Sequence, residues 1–183
     1  MFQTQNYFLI LLLLSILSIS AIIDLRVQRI PNLITFPAVI ISLLYHFFTN
    51  GIDGLIFSTL GLAAGIGLFI IPYMIGFSGA GDAKLMGAVG AILGSKSTFS
   101  AFLIIALVGG VYAIIIILLN KKQFQGFFKK QLITLKLFIL TREFIPDPVE
   151  ENSKKPKLCY GVAIALGTFI YLGLDLSGHH LIF

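Results

Sequence analysis

Hydrophobic positions come in long blocks along this chain, separated by short polar stretches. Six blocks read as helical segments: Tyr7–Ile23, Leu33–Phe48, Leu55–Ile75, a short Ala83–Leu93, Thr98–Leu119 and Tyr160–Leu176. Several approach the roughly 20 residues that an α-helix needs to cross roughly 30 Å of hydrocarbon. The pattern predicts an all-α polytopic membrane protein with about six transmembrane helices, forming one domain over residues 1–183. The polar breaks then decide orientation. With the N-terminus outside, the inner loops are 24–32, 76–82 and 120–159, and every Lys and Arg except Lys96 lies on the inner side. The positive-inside rule therefore predicts both termini outside. Met1–Asn6 carries no Lys or Arg, unlike the n-region of a secretory signal, so Tyr7–Ile23 is expected to be a retained first helix.

The longest break, 120–159, has a pattern of its own. Phe124, Phe127, Phe128, Leu132, Leu135, Phe138 and Ile139 recur at helical spacing, with Lys121, Lys122, Lys129, Lys130 and Lys136 mainly between them. This predicts an amphipathic helix lying in the cytoplasmic membrane interface. A polar, proline-rich linker follows at Pro146–Pro156.

Composition sharpens the class. The chain has 183 residues, 57% hydrophobic and 11% charged, with a mean hydropathy of +0.99. Soluble domains are nearer roughly 25% charged. The net charge of +5 reports topology and not nucleic-acid binding, because no aromatic-basic recognition module accompanies it. The single cysteine, Cys159, allows no intrachain disulfide and no cysteine-based zinc site.

Within the blocks, Gly61-Leu-Ala-Ala-Gly65 and Gly90-Ala-Ile-Leu-Gly94 fit a small-xxx-small pattern, predicting close helix contact inside one bundle. Pro37 and Pro72 are expected to kink their helices. From Ala83 to Gly94 a helix rises only about 18 Å, too short to cross alone. If Gly94–Ser97 is the outer turn, Asp82 lies roughly 10 Å below the inner boundary, after non-helical backbone at Gly79-Ala80-Gly81. Such backbone is tolerated where it lines a water-filled cavity, here one open to the cytoplasm. The alternative is a helix starting earlier, near Phe77, with Asp82 near the interface.

Asp24 and Asp82 are the candidate chemistry. A carboxylate near hydrocarbon costs roughly 2.5–3.5 kcal/mol at a helix centre, so an acid kept there points to function. Both fall on the inner side of the predicted topology. Two close carboxylates cannot both ionise easily and so share one proton. The ionised member can take a proton from an attacking water while the protonated member polarises a carbonyl oxygen. Gly79 and Gly81 fit such a site by allowing unusual backbone conformations and close approach of an extended substrate. Simpler roles also exist: Asp24 could pair with Arg26 or Arg29, and Asp82 could cap a helix. Lys84 could anchor at the interface or hold the dyad or substrate electrostatically. Asn32 could cap the second helix or support Asp24. No Gly-x-Ser-x-Gly elbow, phosphate loop or dinucleotide fingerprint occurs. His46 and His179-His180 lie on the opposite side from the acids, and no metal or cofactor is expected.

Asp24 followed by Ile30-Pro31-Asn32, then Gly79-Ala80-Gly81-Asp82-Ala83-Lys84-Leu85, resembles the type IV prepilin peptidases, membrane aspartyl proteases with a Gly-x-Gly-Asp motif. The start of the last helix, Leu158-Cys159-Tyr160-Gly161, is similar to that family's Pro-Tyr-Gly stretch, with cysteine where proline is usual. The resemblance spans residue 24 to about 167. It implies a catalytic Asp24/Asp82 dyad, supported by Gly79, Gly81, Lys84 and Asn32. It also implies prepilin-like precursors as substrates, cleaved after a glycine that ends a short basic leader. The setting would be the cytoplasmic face of the inner membrane, in a type IV pilus or secretion system. Long members also N-methylate the product and carry a cysteine tetrad; this chain resembles the short forms, so no methylation is expected.

Two other readings compete. A presenilin-like or signal-peptide-peptidase-like protease also uses Gly-x-Gly-Asp, but typically places its first acid after tyrosine, where this chain has Ile23. A small proton-coupled transporter or assembly factor could use the same acids as proton-binding groups.

Overall fold

The structure is a computed structural model, and it describes residues 7–74, 78–119 and 159–177. The described residues are all helical apart from turns and caps. The elements are α1 (Tyr7–Val27), α2 (Asn32–Met74), α3 (Ala80–Leu93), α4 (Ser95–Leu119) and α5 (Tyr160–Leu176). Three of them are long and apolar enough to cross a membrane: Tyr7–Val27, Asn32–Met74 and Ser95–Ile116. α5 is a shorter apolar helix. The chain divides into two compact units, Met1–Val111 with Cys159–Phe183, and Tyr112–Leu158. Of the second unit only the end of α4 is described, and the expected interfacial helix lies outside the described residues.

α2 covers both of the segments expected from the sequence, Leu33–Phe48 and, as far as Met74, Leu55–Ile75. At 43 residues it is about twice what one crossing requires. Gly51 is its only residue outside helical dihedrals, at φ 60°, ψ −138°, a left-handed φ that favours glycine. The chain folds back there. The hydroxyls of Ser42 and Ser58, sixteen residues apart, stand 3.4 Å from each other, and a Cβ on Gly54 would strike the backbone carbonyl of His46. α2 is therefore two antiparallel rods. Pro37 and Pro72 both keep helical dihedrals, so the break falls at Gly51 and not at either proline.

α3 sits between those rods. Every residue from Leu85 to Gly94 is buried, on all faces of the helix, as expected where apolar and small residues surround the whole axis. The first rod runs parallel to it, with Asn32 beside Lys84 and Ser42 beside Ala91. The second runs antiparallel: a Cβ on Gly61 would strike the Gly90 carbonyl, and one on Gly65 the Met86 carbonyl. The small-xxx-small segments thus bring backbone against backbone within one bundle.

The last turn of a helix leaves carbonyls with no following turn to bond. In α3 side chains of α2 fill this role. Ser42 and Ser58 each donate to the Ala91 carbonyl at 2.8 Å, and His46 Nε2 lies 3.3 Å from the Ile92 carbonyl. The chain then turns into α4 through Gly94, whose φ of 79° is left-handed.

α1 and α5 pack mainly on each other. The buried positions of α1 form one stripe: Leu9, Leu13, Ile16, Leu17, Ser20 and Asp24. This is helical spacing, so Asp24 continues an inward face. The outward positions Leu11, Ile22 and Leu25 are exposed, as are Ile56 and Leu60 on α2 and Leu107 on α4. Apolar side chains displayed this widely suit a lipid solvent.

Candidate active site

Both aspartates are buried despite their charge: Asp24 is 5% exposed and Asp82 6%. Asp24 lies in the last turn of α1, which runs past it to Val27 and ends at Gln28 with a left-handed φ of 53°. One carboxylate oxygen, Oδ2, accepts the backbone N–H of Gly161 at 2.9 Å. The simpler reading of an ion pair with Arg26 or Arg29 gives way to this contact, and both arginines are exposed.

Asp82 lies in the first turn of α3, which begins at Ala80. The expectation of non-helical backbone through Gly81 is corrected here: only Gly79 is extended, at φ −88°, ψ 160°, in the cap position. Asp82 Oδ2 accepts the Gly79 N–H at 2.7 Å, and the Asp82 and Ala83 amides donate to the Gly79 carbonyl. The carboxylate thus reaches back across the helix start, where free amide donors favour negative charge.

The glycines act differently from the sequence expectation. Neither Gly79 nor Gly81 has a positive φ, so neither is needed for its conformational range. A Cβ at Gly79 would make only ordinary contact, 3.5 Å from Asp82 Oδ2. A Cβ at Gly81 would lie 3.1 Å from Ile30 Cβ and 3.3 Å from its nitrogen. Gly81 therefore matters for close approach, letting the segment before α2 pack on the start of α3.

Lys84 and Asn32 do come together. Lys84 Nζ donates to Asn32 Oδ1 at 2.9 Å and stands 5.7 Å from the centre of the Phe36 ring. Asn32 is the first residue of α2, so this contact ties the starts of α2 and α3. It turns Asn32 toward Lys84, and its expected support of Asp24 is not what the structure places there.

The helices that carry the two acids, α1 and α3, touch each other, and both touch α5, which carries Tyr160 and Gly161. Among the described residues, three buried hydroxyls, those of Ser20, Thr35 and Ser78, have no hydrogen-bond partner. Ser20 is one helical turn before Asp24 on the buried stripe, and Ser78 precedes Gly79. Unused hydrogen-bonding capacity thus accompanies both acids along the chain. Among the described residues no three His, Cys, Asp or Glu side chains group so as to hold a metal ion.

Sequence reasoning assigned no role to Tyr160 and Gly161. Tyr160 packs edge-on against Phe69, with ring centres 6.4 Å apart, and covers Gly109 of α4. The available signal was the similarity of Cys159-Tyr160-Gly161 to the Pro-Tyr-Gly stretch noted above, which names the residues but not the contact they make.

The sequence pattern of the type IV leader peptidase family matches residues 11–114, which include both aspartates, Asn32 and Lys84. The match covers more than half of the chain, which therefore belongs to this family, and the family implies a peptidase. With its apolar helices, the chain is a membrane protein. No curated protein and no solved structure shows a significant match.

Proposed function

We propose that this member of the type IV leader peptidase family is a membrane aspartic endopeptidase, with Asp24 and Asp82 as its catalytic dyad. One observation carries the reading. Two buried carboxylates from distant parts of the chain lie on helices that touch each other, each held through one oxygen by a glycine N–H. Neither acid's hydrogen-bonded partner is a cation, so the pair can share a proton.

The chemistry follows from that sharing. A water oxygen attacks the scissile carbonyl carbon while its proton passes to the ionised carboxylate. The protonated carboxylate donates toward the carbonyl oxygen. Collapse of the tetrahedral species breaks the C–N bond, and a dyad proton goes to the leaving amine. The pair ends with one proton, as it began. The buried hydroxyls of Ser20 and Ser78 add polarity suited to water entering an otherwise apolar bundle.

The substrate class we assign is prepilin-like precursors, cut after the glycine that ends a short basic leader, without subsequent methylation by this chain. The topology that goes with this is six crossings of the inner membrane with both termini outside. The fold-back of α2 at Gly51 supports counting it as two of them. Both acids then face the cytoplasm, where a basic leader remains before export. The whole chain would act as one peptidase domain.

The test is to incubate purified protein in lipid vesicles with such a precursor and read the product N-terminus by mass spectrometry. A new terminus directly after the leader glycine is expected. An intact precursor, or proton-coupled uptake without proteolysis, would overturn the assignment.

A further inference from the structure

Asp82 is anchored within its own helix start, by an amide three residues away. Asp24 is not. Its anchor is 137 positions distant in sequence, on a different helix. The relation between the two carboxylates therefore depends on where the N-terminus of α5 rests.

That N-terminus is fixed from several sides. Tyr160, the first residue of α5, packs against Phe69 of α2 and covers Gly109 of α4, where a Cβ would lie 3.2 Å from its ring. Deeper in α5, Gly167 meets the Ile105 backbone of α4, 2.7 Å from where its Cβ would stand. At Gly161 the approach to Asp24 is closest. A Cβ there would lie 2.9 Å from Asp24 Oδ2 and 3.1 Å from both Cβ and Cγ. These atoms belong to a short side chain in a buried stripe, with no flexible end that could swing aside. Gly161 lies in the first turn of α5, where amides have no partner within the helix, and its N–H goes to the aspartate of α1.

We propose that Gly161 is the positioning residue for Asp24. Its missing Cβ lets α5 come close enough for its N–H to fix one carboxylate oxygen, leaving the other free for water or substrate. This rests on Asp24 being catalytic, as read above. Gly161 itself touches no substrate and acts only through Asp24.

The test uses the full chain in lipid vesicles and a prepilin-like precursor, with five variants, Asp24→Ala alone among them as the second background. Gly161→Ala should lower kcat at least about tenfold with KM within about twofold of the parent, because displacing a catalytic group by a fraction of an ångström costs rate before binding. Gly173→Ala, in the same helix with open space around it, should leave both constants unchanged. The thermal midpoint gives a readout independent of activity. Gly161→Ala should lower it in the parent and lower it less when Asp24→Ala is also present, because that change removes the Oδ2 and Cγ contacts. If Gly161→Ala alone is not recovered folded, recovery of folded Gly161→Ala/Asp24→Ala supports the contact, and failure to recover it refutes it. An unchanged kcat in Gly161→Ala, or equal midpoint losses in both backgrounds, overturns the proposal. Asp24→Asn separates the two layers. If it still cleaves, the dyad reading fails; if it is inactive while Gly161→Ala is fully active, only the positioning role fails.

Discussion

The end of α3 makes a quantitative prediction about how this bundle holds its central helix. The Ala91 carbonyl lies in the last turn and accepts from two serines, Ser42 and Ser58, each at 2.8 Å and each fully buried. Replacing either serine by alanine leaves the other donor in place. Each single change should then cost only about the ~0.6 kcal/mol typical of one hydrogen bond inside a membrane protein. Replacing both leaves the carbonyl without either side-chain donor in an apolar surround, a loss of roughly 1–3 kcal/mol for the orphaned group alone. Independent effects would sum to about 1.2 kcal/mol. The double variant should instead lose about 2–3 kcal/mol, an excess of about 1–2 kcal/mol over the sum. The assay is a double-mutant cycle on unfolding in detergent micelles, with Ser42→Ala, Ser58→Ala and the pair. Additivity within roughly 0.3–0.5 kcal/mol would refute the shared-acceptor account. So would a double variant as stable as the parent.

Three further outcomes follow from the same geometry. Gly90→Ala should strongly destabilise the protein, because its Cβ would strike the Gly61 carbonyl and backbone cannot swing aside; Gly67→Ala, with nothing within 4 Å, should be neutral or slightly stabilising, both read as thermal midpoints in micelles. Gln28→Gly should raise stability by about 1 kcal/mol in the same unfolding assay, because a non-glycine residue there holds a left-handed φ. Lys84→Met and Asn32→Ala should each cost no more than about 1 kcal/mol and should not add, since both remove one exposed hydrogen bond.

The two acids were legible in the sequence because each interrupts an apolar run, and the structure buries both. Close packing at Gly61 and Gly90 was legible for a similar reason, since paired small residues in an apolar helix have few other uses. What lay beyond reach was direction. α1 is apolar on every face, so its pattern could not reveal that Leu9, Leu13, Leu17 and Asp24 share the inward one. The start of α3 was placed three residues late, because Gly79-Ala80-Gly81 reads as a helix breaker while in fact only Gly79 is extended. The sequence pattern leaves residues 49–54 unassigned between two helices; a single left-handed glycine, Gly51, makes the turn there, with helix on both sides. The Asp24–Gly161 contact is tertiary, set by how α5 docks, and no local periodicity encodes it.

The central claim is that Asp24 and Asp82 act as one catalytic pair. Its most direct test is cleavage of a prepilin-like precursor by Asp24→Asn and Asp82→Asn, each inserted in the membrane as well as the parent. Asparagine keeps the shape and the acceptor oxygen but can neither take up water's proton nor hold the shared one. Each single variant should lose cleavage by about 10²–10⁴-fold. Cleavage at the parent rate in either variant would contradict the account.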